Sequence, residues 1–186
     1  MKRIIGAAAA VAALAIPTMP AHAADSTTTT VTRGMQIVGY DRSVATAHGY
    51  TIKTDSEGHE YSVKNGSVQP NTSVTDPGDC GSSTATITHI GNHQATVSTG
   101  FVLSGIDGFA VDYNWNLSVL DNWGQTPHHW GGGLATRRSW SSQPFNFKSA
   151  GAGPAWAIVE SGSSYAILID GGVCYSAGPA AEDYID

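Results

Sequence analysis

The chain holds two cysteines, Cys80 and Cys174. A cysteine can serve as nucleophile, metal ligand or half of a disulfide, and thiolate fraction and compartment decide among these roles. His128-His129-Trp130, set between Pro127 and Gly131-Gly132-Gly133, is the densest imidazole-aromatic cluster. Zinc needs three or four converging ligands, whereas adjacent histidines in an extended segment point to opposite sides. His89 and His93 flank Gly91-Asn92 and make a second two-His group across a turn. Two ligands do not complete a site, so these histidines are expected at the surface, with no metal and no cofactor assigned. Trp123 and Trp130 stand near Asp121, Asn122 and Gln125. Indole faces beside amide and carboxylate groups suit stacking on a sugar and bonding to its hydroxyls. Asp121, Trp123, Gln125 and Trp130 are therefore the ligand-binding candidates, with packing of the indoles back onto the fold as the competing role. A glycosidase needs two carboxylates about 5–10 Å apart. Asp107, Asp112, Asp121, Glu160 and Asp170 are too scattered for spacing to select a pair. No Gly-x-Ser-x-Gly elbow or His-Glu-x-x-His run occurs either, and no catalytic residue is assigned.

The compartment comes from the N-terminus. Lys2 and Arg3 precede an uncharged, Ala-rich run over residues 4–16; Pro17 and Pro20 follow, and Ala21-His22-Ala23 has the small-x-small pattern of a signal peptidase site. Residues 1–23 are expected to be a secretory signal peptide, with the mature protein starting near Ala24. The apolar run is shorter than the roughly 20 residues that span a bilayer, so no membrane anchor is expected after cleavage. The product is expected to be secreted and extracellular. In that setting Cys80 and Cys174 pair, and closing so long a loop stabilises by about 4–5 kcal/mol in the chain-entropy model. The formal charge of −6 becomes more negative once Lys2 and Arg3 are removed. That balance lacks the basic footprint of a nucleic-acid binder or of a protein held on anionic lipid.

The elements that must position these residues read mostly as strands. Residues 24–30 are Ser/Thr-rich and expected as a leader, and residues 31–39 carry Met35, Ile37 and, out of phase, Val38. Asp41 can cap a short helix over residues 42–48, with Gly49 as its stop. Residues 50–54 and 60–63 alternate around a 55–58 turn, which predicts a hairpin. Residues 84–90 and 94–103 flank Gly91-Asn92, a two-residue hairpin signal. Between residues 109 and 120, Phe109, Val111, Tyr113, Trp115, Leu117 and Val119 share one parity, so a strand there puts every large apolar group on one face. Residues 121–133 are expected as a loop, followed by strands over 134–140, 155–160, 165–170 and 173–176. The fold class expected is all-β, an antiparallel β-sandwich or small barrel with a short N-terminal hairpin appendage. Its parts are a leader, helix and hairpin over residues 24–66, a connector over 67–79, a main β-domain over 80–178 closed by the disulfide, and an acidic tail over 179–186.

Two resemblances bear on function. Gly78-Asp79-Cys80-Gly81 is similar to the nucleophile turn of chymotrypsin-like cysteine proteases, and Thr46-Ala47-His48 to the fragment around their histidine. Too little chain separates His48 from Cys80 for that fold, and a disulfide-bonded Cys80 has no thiolate. The Ala-rich N-terminus, Gly-Asp-Cys-Gly-Ser-Ser at 78–83 and Gly-Gly-Val-Cys-Tyr-Ser-Ala-Gly-Pro at 171–179 resemble small secreted β-rich proteins of actinobacteria, over residues 33–179. That resemblance implies export and carries no activity or site residues. The expected role is non-enzymatic surface recognition of an extracellular glycan or protein. The alternatives are a secreted hydrolase whose acidic pair comes from distant strands, and a protease-inhibitor-like module using the 121–133 segment.

Overall fold

The period-two runs of the sequence become strands, and a computed structural model describes them over residues 26–67, 70–73, 80–105 and 108–186. The expected signal peptide and residues 74–79 of the connector lie outside the described residues.

The first strand, β1 (Thr28–Tyr40), begins inside the segment expected to be a leader. Its threonines are strand formers, and they pair across to β5 (Gly81–Gly91). Thr28 Oγ1 lies 3.1 Å from Thr88 Oγ1, and Thr30 Oγ1 lies 3.0 Å from Thr86 Oγ1. Between them come helix α1 (Arg42–Ala47) and strands β2 (Tyr50–Thr54), β3 (Glu60–Lys64) and β4 (Pro70–Ser73). Asp41 caps α1 by accepting from the amides of Ser43 at 2.9 Å and Val44 at 3.0 Å. The Ser43 hydroxyl also donates to it, and these bonds hold the Asp41 carboxyl below its usual pKa. The remaining strands are β6 (Gln94–Leu103), β7 (Ala110–Asp121), β8 (Gly124–Arg137), β9 (Ser139–Ser141), β10 (Phe145–Lys148), β11 (Gly153–Val159), β12 (Tyr165–Leu168), β13 (Gly172–Ser176) and β14 (Ala180–Ile185).

The large sheet runs β10-β6-β5-β1-β13-β12-β7-β11-β14, all antiparallel, with β8 on β7 and β9 on β6. Strand β7 organises it. On one edge β8 pairs with it along its length; on the other, β12 takes Ala110–Asn114 and β11 takes Leu117–Asp121. The sheet therefore divides at β7. One branch continues through β12 and β13 to β1, β5 and β6, and the other through β11 to β14. The short branch folds back so that β11 and β14 lie over β5, giving a sandwich-like fold rather than a closed barrel.

The core lies between these layers. Trp115, Leu117 and Val119 fill it from β7, Ala85 and Ile87 from β5, and Val97 and Phe101 from β6. Ala155, Ala157 and Ala181 supply small buried positions on β11 and β14. Trp115 has one polar atom, and its indole N–H donates to Thr99 Oγ1 at 2.9 Å. The expected parity of β7 holds from Tyr113 onward; a bulge at Val111 shifts the register and turns Ala110 inward.

Three expected boundaries change. The segment over residues 24–66 is not wholly an appendage, because β1 lies within the large sheet between β5 and β13. Part of the connector forms β4 on β3. The acidic tail is strand β14, with Ala181 and Ile185 buried while Glu182 points outward. Asp183 accepts from Thr27 Oγ1, and Asp186 accepts from the His93 amide at 2.7 Å through its carbonyl, so the chain end is stitched to the start of β1 and the β5–β6 turn.

The small β2-β3-β4 sheet docks on the turn between β12 and β13. Ser62 Oγ donates to the buried Asp170 Oδ2 at 2.7 Å, and the Asp41 amide donates to the Gly171 carbonyl at 2.7 Å. Gly171 has φ of +90°, and a Cβ there would lie 2.6 Å from the Asp41 carbonyl oxygen, so only glycine permits this approach.

Cys80 and Cys174 form a disulfide. It does more than join the two ends of the β-domain. Gly81 and Cys174 sit opposite Met35 and Ile37 of β1, so the bond straddles β1. Replacing both cysteines by serine is expected to lower the unfolding free energy by about 4–5 kcal/mol, read from guanidinium denaturation. A change under about 1 kcal/mol would show that the bond does not constrain the chain.

Candidate ligand-binding groove

Residues 121–133, expected as a loop, form the turn and most of strand β8. Asp121 Oδ1 accepts from the amides of Trp123 and Gly124, both at 2.8 Å, and so closes a tight turn around Asn122 and Trp123. Trp115 then faces Trp130, Leu117 faces His128 and Val119 faces Thr126. Pro127 and the three glycines read as breakers, but among the described residues β8 pairs only with β7, and an edge strand tolerates a missing N–H. The β5–β6 hairpin also differs in detail. Its central residues are Asn92 and His93, both at positive φ, with Gly91 pairing with Gln94.

Beyond Gly133 the chain leaves β7. Ala135 and Thr136 take φ of 45° and 60°, a conformation that costs about 1–3 kcal/mol for each non-glycine residue. The register jumps from Asp112↔Gly133 to Ala110↔Arg137, and the chain turns directly into β9 on the far edge of β6. Gly100 allows that approach, since a Cβ there would lie 2.5 Å from the Trp140 carbonyl oxygen. Strands β8 and β9–β10 thus diverge from one corner as two sheet edges, with no ladder between them among the described residues.

Aromatic rings fill the seam. His128 lies 4.0 Å from Phe145 between centroids, Trp130 lies 5.8 Å from Trp140, and Trp130 lies 6.0 Å from Phe145. Trp140 rests on Tyr113 at 4.8 Å and on Phe101 and Trp115 at 6.0 Å each, so the floor of the seam continues the core. Above these rings is a groove of about 520 Å³, walled by His128, Trp130, Trp140 and Phe145 and rimmed by Ser141, Ser142 and Gln143. Ser142 is fixed by β6: its amide donates to the Thr99 carbonyl at 2.9 Å and its Oγ accepts from the Thr99 amide at 3.1 Å. None of the seven lining residues is a carboxylate, ammonium or guanidinium. Burial lowers the His128 pKa, which keeps the wall uncharged at neutral pH.

The four candidates separate. Trp130 belongs to the groove. Asp121 holds the hairpin turn, and Trp123, 53% exposed, lies over Gly151 at the tip. Gln125 sits on the outer face, its Nε2 donating to Ser118 Oγ at 2.7 Å, while Ser118 donates to Glu160 at 2.9 Å. His129 also points outward, to Asn116 Oδ1 at 2.9 Å. His89 is buried and bonded to Asp186 Oδ1 at 2.9 Å rather than facing His93. Asp121, Glu160 and Asp170 each serve a separate local network. Trp140, Phe145 and Gln143 were missed in the sequence, although Trp140-Ser141-Ser142-Gln143-Pro144-Phe145 repeats the aromatic-polar composition that marked the 121–130 segment. Another unanticipated cluster is Asp55, Glu57 and His59, exposed on the β2–β3 turn, with ligand atoms within 4.8 Å. Asp55 Oδ1 accepts from the Glu57 and His59 amides there, which accounts for the arrangement as a turn.

Comparison with protein-family models, with curated proteins and with solved structures gives no match.

Burial holds the folded pKa of His128 below the ordinary imidazole value of about 6.5. Between those two values the folded protein binds fewer protons than the unfolded chain, so this residue's share of stability is full above about pH 6.5 and is lost as pH falls through the folded value. The stability difference between wild type and His128→Gln is expected to be constant above about pH 7 and to shift against wild type below it. A difference that stays flat down to about pH 5 would contradict the burial of this ring.

Proposed function

We propose that the protein is a secreted recognition module that holds a neutral saccharide in the groove between β8 and β9–β10. The observation that carries this reading is the lining: four rings from two separate sheet edges, bordered by hydroxyl and amide groups and free of charged side chains. Ring faces stack on the apolar face of a pyranose, while Ser141 and Gln143 can exchange hydrogen bonds with its hydroxyls. An uncharged wall gives no favourable partner to a uronate, phosphate or amino group, whose desolvation would go uncompensated. Export, read from residues 1–23, agrees with a disulfide-bonded domain.

A second reading follows from the pairing of β8 with β7 alone among the described residues. An extended peptide could add a strand at that edge, and retention on protein rather than on polysaccharide would favour it. Hydrolysis would appear as reducing ends released from the same polymers.

Retention of the mature protein on insoluble neutral polysaccharides tests the proposal. Trp130→Ala and Trp140→Ala are each expected to weaken retention by about tenfold or more, with Trp123→Ala retained like wild type. Trp140 also supports the core, so the Trp130 variant, checked for an unchanged melting temperature, carries the decision. Wild-type retention of that variant would overturn the assignment.

A further inference from the structure

Beside the corner at Ala135 and Thr136 lies another hollow, of about 450 Å³, lined from β5, β6, β8 and β9. Strand pairing builds its floor. Ser141 of β9, Gly100 of β6 and Thr84 of β5 stand in one register row, and Ser139 stands opposite Val102 in the next. Register partners share a face of the sheet, so the three hydroxyls lie on one side. Gly100, between Ser141 and Thr84, has no side chain to fill the space. Val102, 58% exposed, and Leu134 add apolar walls. The two arginines that follow the corner have different surroundings. Arg138 is absorbed by the fold: its guanidinium donates to the Gly105 carbonyl at 2.8 Å and lies 4.2 Å from the centre of the Phe109 ring. Arg137 is exposed and lines the hollow. Among the described residues its guanidinium has no hydrogen-bonded or ionic partner, and neither have the Ser139 and Ser141 hydroxyls. No carboxylate among them lines the hollow either.

We propose that this hollow is a binding site for a uronate, a sugar bearing a carboxylate, with Arg137 as its anchor. The planar guanidinium fork matches a carboxylate through two parallel N–H···O bonds. Ser139 and Ser141 can donate to or accept from hydroxyls of the same sugar. Thr84, whose hydroxyl donates to the Gly100 carbonyl at 3.4 Å, can accept. Val102 and Leu134 meet the apolar C–H face of the ring. Charge sets the class of ligand: one guanidinium matches one carboxylate, whereas a phosphate dianion would keep a charge without a partner. The hydroxyls favour a sugar over an acidic peptide, whose side chains bring the carboxylate without ring hydroxyls. Trp140 and Ser141 line both this hollow and the seam groove, which places the two side by side along β9. The uronate site rests on Arg137 and does not require the seam to hold a sugar.

The test is calorimetric titration of the mature protein with hexamers of galacturonate, glucuronate and mannuronate, with their methyl esters, with hexaglutamate and with inorganic phosphate. Arg137→Gln and Arg137→Lys are compared with wild type after a check for an unchanged melting temperature. At least one hexauronate is expected to bind wild type, and its methyl ester to bind about tenfold or more weaker. Arg137→Gln should lose a similar factor for the uronate and weaken the ester no further. Arg137→Lys, which keeps the charge and loses the fork, should fall between. Absence of binding by every hexauronate, or wild-type affinity in Arg137→Gln, would overturn the proposal. Binding of hexaglutamate or phosphate as tightly as the uronate would overturn it too. Retention on neutral polysaccharide is read separately: its failure strikes the seam alone, and failure of uronate binding strikes this site alone.

Discussion

Strand β7 has three hydrogen-bonded neighbours where a strand ordinarily has two. One edge belongs to β8, and the other is divided between β12 and β11. A twisted sheet cannot continue flat past such a division, so its two branches separate and fold face to face. The inner parity of β7, with Trp115, Leu117 and Val119, is what both branches cover. The outer parity is bound into local networks: Asn114 and Asn116 donate to the Ser163 carbonyl, and Ser118 donates to Glu160. These bonds hold the Glu160–Ser164 link that carries the chain from β11 to β12. The division of the sheet is thus fixed from both faces of one strand.

The same arrangement leaves two edges, β8 and β9–β10, that open from a common corner. Unpaired edges invite association with other chains. Here rings from the two edges meet across the seam, and aromatic pairs contribute about 0.5–1.5 kcal/mol each beyond the area they bury. The left-handed residues Ala135 and Thr136 at the corner cost a comparable amount, and the ring contacts across the seam offset it. Because the gap is closed by side chains and not by a ladder, its outer surface keeps half-buried rings, the Ser141 hydroxyl and the Gln143 amide in reach of solvent. The disulfide acts at a distance from this, straddling β1 so that β5 and β13 stay in register around it.

Much of the fold was legible in residue parity. The all-β class, the α1 cap at Asp41, the β2–β3 and β5–β6 hairpins and the inward set of β7 all followed from alternation and turn chemistry. Parity could not place β1, whose threonines look alike in a leader and in a strand; their pairing with Thr86 and Thr88 is a tertiary fact. It also misjudged residues 121–133, because Pro127 and three glycines mark a loop anywhere except on an edge strand. The tail at residues 179–186 was hidden by its acids, which point away while Ala181 and Ile185 fill the core. Of the candidate site, Trp130 was visible from its surroundings in sequence. Trp140 and Phe145 were not, because their meeting with Trp130 depends on the corner at Ala135 and Thr136.

Receipt of a neutral sugar by the rings of the seam, as proposed, can be tested residue by residue with the five tryptophans. Each indole N–H gives its own cross-peak in a ¹⁵N-labelled sample of the mature protein, titrated with neutral oligosaccharides cut from cellulose, chitin and starch. At least one series is expected to move the Trp130 and Trp140 peaks together. Trp115, bonded to Thr99 inside the core, and Trp123, at the hairpin tip, are expected to stay in place. Shifts confined to Trp123 or Trp156, or no indole shift with any of the three series, would contradict it.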